Sequence, residues 1–167
     1  MASSEQTAES NWTKLREEQR LTLSVPNTAM AVTIDVGEHN DLHPQNKKVV
    51  GSRLALCAER LVYKEKVIHQ GPFFQKMKVR GKSVELFFDS IGSGLMAKGG
   101  LLNGFELCGD DRKFYPATAE IAGDRILVSS KPVEQPVGVR YAWADNPTAA
   151  NLYNQEGLPA SPFQAYK

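Results

Sequence analysis

Two histidines, three carboxylates and an asparagine crowd into ten consecutive residues, Asp35-Val36-Gly37-Glu38-His39-Asn40-Asp41-Leu42-His43-Pro44. A histidine in such a stretch can take the proton from a serine nucleophile, and a nearby carboxylate can hold its tautomer and stabilise the imidazolium. Glu38, His39, Asp41 and His43 are also metal-ligand types, and the two histidines are four apart. Gly37 behind and Pro44 ahead favour a loop over the helix that would set two imidazoles side by side, so no metal is expected. The plain alternative is a connecting loop with solvated histidines, in which Asp41 or Asn46 caps the next helix.

Tyr141, Trp143, Asn146, Asn151, Tyr153 and Asn154 form a second group. Flat rings beside amide donors suit sugars, whose faces are apolar and whose edges are hydroxylated. The alternative is that Tyr141 and Trp143 alternate with core positions of a strand while the asparagines make turns. Serines fit a nucleophile less well. Gly92-Ser93-Gly94 lacks the spacing of a nucleophile elbow, Ser52 falls inside a helical pattern, and Ser10 is placed to cap a helix. No glycine-rich phosphate loop is present, and no cofactor is expected.

The elements around these groups change character near residue 67. Before it, residues 12–23 read as a helix ending near Pro26, and residues 29–34, β-branched at alternate positions, read as a buried strand. The loop of residues 35–44 then follows a strand end and precedes a helix, where open α/β sheets place ligands. Residues 45–64 carry Val50, Leu54, Cys57 and Leu61 at spacings of four, three and four, the stripe of an amphipathic helix. One strand cannot make the sheet such helices cover. After residue 67 the reading is of strands: 73–80 and 83–88 around Gly81-Lys82, 102–108, 117–122 and 125–129 around Gly123-Asp124, and 137–144. Residues 145–167 read as an irregular tail, ordered only if it docks. The expected division is an α/β fragment over residues 1–66 and a β-sandwich-like domain over 67–167.

The chain has 167 residues, 41% hydrophobic and 23% charged, enough to fold without metals or disulfides. A formal charge of +1 gives no footprint for nucleic acid or an anionic membrane surface. No apolar run approaches the roughly 20 residues of a membrane span. The first residues have no secretory signature, so the expectation is either a cytoplasmic protein or a chain that starts downstream of its address. Cys57 and Cys108 do not decide the redox compartment.

Several ordered blocks carry a resemblance: Trp12-Thr13-Lys14-Leu15-Arg16, Pro26-Asn27-Thr28-Ala29-Met30-Ala31-Val32-Thr33-Ile34-Asp35, Asp41-Leu42-His43-Pro44 and Gly51-Ser52-Arg53-Leu54-Ala55. It continues through Gly104-Phe105-Glu106-Leu107, Val139-Arg140-Tyr141-Ala142-Trp143-Ala144-Asp145-Asn146-Pro147 and Asn151-Leu152-Tyr153-Asn154. From Trp12 onward the sequence resembles the carboxy-terminal part of the sialate O-acetylesterases, SGNH-type serine carbohydrate esterases. The resemblance implies the end of an SGNH, flavodoxin-like three-layer α/β sandwich followed by a small all-β sandwich domain. It implies His43 as catalytic histidine with Asp41 as its candidate partner, and a secreted or periplasmic setting; Trp143, Tyr153 and Asn146 of the aromatic and amide group are the residues expected to meet an acetylated carbohydrate.

The family's nucleophile sits in a G-E-S-N-like block, which Ala8-Glu9-Ser10-Asn11 only mimics. The expectation is therefore a chain inactive alone that needs a missing N-terminal half, with self-association as the alternative fate of its helix stripe. A non-catalytic carbohydrate-binding or structural β-module is the rival function.

Overall fold

A computed structural model describes residues 11–167, so Ser10 lies outside the described residues. Helix α1, Asn11–Leu21, is built from good helix formers, tightens into a 3-10 turn at Thr22–Ser24, and stops before Pro26 and the left-handed Asn27 (φ 62°). Helix α2, Lys47–Leu61, starts where the Asn46 side chain accepts the Val49 N–H, so Asn46 supplies the cap that the loop requires.

The strand expected at residues 29–34 does not form. Its backbone finds no neighbouring strand among the described residues, and the Val32 carbonyl instead accepts the Arg53 guanidinium. A strand needs a partner to satisfy its edge, and β-branched composition cannot supply one.

From Phe73 onward the chain is β. Strands β1 (Phe73–Arg80) and β2 (Ser83–Asp89) form a two-residue hairpin that Gly81 permits by taking φ 60°. The others are β3 (Leu95–Ala97), β4 (Phe105–Cys108), β5 (Phe114–Pro116), β6 (Thr118–Ala122), β7 (Arg125–Ser129), β8 (Gly138–Tyr141), β9 (Leu152–Asn154) and β10 (Phe163–Tyr166). They pair antiparallel as β1-β2-β7-β6 and β10-β8-β4-β5, with β3-β9 as a separate ribbon.

Alternation decides which faces meet. Val84, Leu86 and Phe88 of β2 and Ile126 and Val128 of β7 point inward, and they share one core with Leu107, Val139 and Phe163 of the second sheet. The expected irregular tail contributes two of these strands: it docks through Phe163, fully buried and stacked on Phe74 with ring centroids 4.3 Å apart. Glu106 and Arg140, opposite each other on β4 and β8, form a charge pair inside the second sheet, so neither charge is buried alone. Among the described residues the chain is mostly β-sheet with two short α-helices.

Most exposed large apolar side chains lie in the first 68 residues, among them Trp12, Leu15, Leu42, Leu54 and Tyr63. A concentration of this kind marks a surface that favours burial against another chain. The purified chain should therefore sediment with a concentration-dependent mass, and Leu15→Glu combined with Leu54→Glu should return it to the monomer with an unchanged circular dichroism spectrum. Monomeric sedimentation of the parent chain at all concentrations would contradict this.

Candidate functional site

The loop of residues 35–44 is held by its own carboxylates. The Asp41 N–H donates to the Glu38 carbonyl, the Gln45 N–H donates to Glu38 Oε1 at 2.9 Å, and the His43 N–H donates to Asp41 Oδ1 at 2.7 Å. This last bond is an Asx turn: Asp41 fixes the backbone that carries His43. The His43 imidazole is exposed and has no hydrogen-bond partner among the described residues. His39 is also exposed, and no group of three metal-ligating side chains occurs among the described residues.

Below the loop lies an ion pair that sequence reasoning missed. Arg53 of α2 forks onto Asp35, Nη1 to Oδ1 and Nη2 to Oδ2, both at 2.7 Å, and Nη1 also donates to the Val32 carbonyl at 2.6 Å. The Tyr153 hydroxyl on β9 donates to Asp35 Oδ2 at 3.1 Å. The Arg53 and Asp35 side chains are only 8% and 13% exposed. A planar fork meeting both carboxylate oxygens is the geometry arginine provides and lysine does not. Burial by itself would raise the Asp35 carboxyl, but the Arg53 hydrogen bonds and charge, with the Tyr153 hydroxyl, hold it below the ordinary range. Burial first, and the Asp35 charge second, push the Tyr153 phenol up to about 12.

The buried face of α2 is accordingly turned from the expected one. Arg53 and Cys57 are buried, whereas Leu54 is 53% exposed. The signal was present in the spacing, since Arg53 follows Val50 by three and precedes Cys57 by four. An arginine inside an apolar stripe asks for a buried carboxylate.

Tyr153 is 4% exposed, with Lys98 Nζ 4.9 Å from its ring centroid. Trp143, partly exposed, and Asn146, exposed, lie on the segment after β8. Arg16 of α1 grips this segment, donating to the Ala144 and Asp145 carbonyls at 2.8 Å each, while the Trp12 N–H donates to Asp145 Oδ1 at 3.3 Å. α1 is thus fastened to the segment bearing Trp143, and the loop and α2 meet the β-sheets at Tyr153 through Asp35. The structure brings Asp41 to the His43 backbone and Tyr153 to Asp35.

Comparison with known proteins adds the context. No family model matches the chain. The mouse protein named sialate O-acetylesterase is 31% identical over 170 residues, covering 84% of this chain and 28% of the relative. The human protein of the same name is 29% identical over 157 residues, covering 85% of this chain and 30% of the relative. Among solved structures, a carbohydrate acetylesterase from Xanthomonas citri superposes with a TM-score of 0.90 at 46% identity, covering 92% of this chain and 36% of that one. The chain therefore spans about a third or less of the length of these proteins.

The class these matches define is that of the carbohydrate O-acetyl esterases. Within it, the chain is similar to the sialate O-acetylesterases, matching their carboxy-terminal portion.

Two tests follow from the buried fork. Arg53→Gln should lower unfolding free energy by about 3 kcal/mol, since it strands a mostly buried carboxylate, and Tyr153→Phe by about 1 kcal/mol, both read from denaturant melts. Because the Asp35 carboxyl is lowered in the folded state, its stabilisation is complete above the unfolded aspartate value of about 3.9 and is lost as pH falls through the folded-state value. Asp35→Asn should flatten that acid limb of the stability curve, and an unchanged limb would show that other carboxylates set it.

Proposed function

We propose that this chain supplies the histidine-bearing portion of a serine esterase that removes O-acetyl groups from sialic acid or a related acetylated sugar. The observation that carries the reading is the His43 loop: an exposed imidazole without a hydrogen-bond partner among the described residues, on a backbone that Asp41 fixes, in a loop whose first residue, Asp35, is held by Arg53. The matches to O-acetylesterases over most of this chain support it.

In this reading His43 takes the proton from a serine hydroxyl as that oxygen attacks the acetyl carbonyl, then returns it to the sugar oxygen as the ester bond breaks. A water attacks the resulting acetyl-serine with the same histidine as base, releasing acetate. Asp41 acts through the backbone of residue 43 and so sets where the ring stands. Trp143 offers a face and Asn146 an amide to the sugar, while Tyr153 contributes from below through Asp35. The serine block and its oxyanion donors come from an α/β portion of SGNH layout, which residues 1–66 would complete and to which residues 67–167 are appended as a β-sandwich-like domain.

The purified 167-residue chain should hydrolyse neither 4-nitrophenyl acetate nor O-acetylated sialic acid. In the complete enzyme, His43→Ala should reduce kcat by about 100- to 10,000-fold with the melting temperature retained. Hydrolysis by the chain alone that disappears in His43→Ala and survives Ser10→Ala would place a nucleophile elsewhere in this sequence and overturn the proposal.

A further inference from the structure

Where the end of α2 meets the first β-hairpin, the residues between them wall a cavity of about 290 Å³ lined by Arg60, Lys66, His69, Gln70 and Ser90 with two aliphatic side chains. No carboxylate lines it. Arg60 uses one N–H in a long bond of 3.4 Å to the Glu65 carbonyl, and neither the Lys66 ammonium nor the His69 ring has a hydrogen-bond or ion-pair partner among the described residues. Burial lowers the His69 pKa, and the neighbouring Arg60 charge lowers it further.

The walls are fixed from both sides. Cys57 Sγ on α2 contacts the His69 carbonyl at 3.8 Å, and Asn154 Nδ2 on β9 donates to the Gln70 carbonyl at 3.3 Å. The next residue is glycine of necessity, because a Cβ on Gly71 would fall 2.2 Å from the Pro159 carbonyl oxygen. Ser90 holds a left-handed backbone (φ 58°), a strained conformation for a serine, and its Oγ accepts from Gln70 Nε2 at 2.7 Å. That bond leaves the serine hydroxyl proton available to donate.

We propose that this cavity is a binding site for a small carboxylate anion, foremost a sugar acid of monosaccharide size. Arg60 and Lys66 supply charge to the carboxylate, with His69 as a further donor, and the Gln70 and Ser90 pair meets hydroxyl groups. The volume stands at the lower end of small-ligand sites. Charge-assisted bonds from Arg60 and Lys66 give the selectivity for an anion over a neutral sugar. The site is separate from the His43 chemistry and stands whether or not that assignment holds.

The chain has three histidines, His39, His43 and His69, so NMR of the imidazole protons resolves the question directly. Titration of the purified chain with N-acetylneuraminate should shift the His69 signals saturably at millimolar concentrations. N-acetylglucosamine, a neutral sugar, should leave them in place. Arg60→Gln and Lys66→Gln, on exposed positions, should each weaken the binding about tenfold or more with the fold intact. Acetate and inorganic phosphate separate the sources: tighter binding of N-acetylneuraminate supports a sugar-acid site, and equal saturation by all three anions overturns that part while retaining an anion site. No His69 shift with any of the three anions at tens of millimolar, or undiminished shifts in both variants, would overturn the proposal altogether.

Discussion

A fork of hydrogen bonds ties the histidine loop to α2, and one more bond on the same carboxylate ties it to the β-sheets. Arg53 reaches from a helix to Asp35 at the start of the histidine loop and to the Val32 carbonyl before it, and Tyr153 closes on the same carboxylate from the β-sheets. Residues 28–36 have no strand partner among the described residues, and the fork holds them together with the Thr28 hydroxyl bonds and Ile34 packed on the core. The arrangement does by side-chain bonding what a neighbouring strand would do by backbone pairing. It ties the placement of His43 to the order of β9, an element more than a hundred residues away in sequence.

The β-sheets are therefore part of the site's geometry as well as a folding unit. Arg16 on the segment bearing Trp143, and Tyr153 under Asp35, are two attachments set on opposite sides of the loop sequence. Relatives roughly three times as long contain this unit at a TM-score of 0.90 in the solved case, so the arrangement of these 150 or so residues recurs within a larger protein. The apolar residues on α1 and α2 are the expected face of a part that is covered in such a setting.

Legibility in the sequence followed the range of the forces involved. Local signals, namely the Asn46 cap, Gly81 in the first hairpin turn and the paired segments around Gly123-Asp124, gave helices and hairpins close to where they stand. The strand at residues 29–34 failed because its composition was right while its partner was missing from the described residues. β3, β5 and β9 are three residues each, too short for a period to show, and β3 and β9 are set by pairing with each other across more than fifty residues. The His43 loop was visible as a cluster of residue types, but the Arg53–Asp35 contact spans eighteen positions and reads from sequence only as an arginine misplaced in an apolar stripe.

The last strand sets the timing of the fold. β10 lies at the edge of its sheet and pairs with β8, and its Phe163 enters the core between Phe74 and Tyr141. The first hairpin can form as soon as it is synthesised, since its contacts are local. The shared core cannot close until residues 163–166 have also been made, and until then Phe74 and Phe88 lack their aromatic neighbour. On a ribosome, a chain translated as far as β8 still exposes that apolar face, and such non-local closure is the slow, aggregation-exposed step of a β fold.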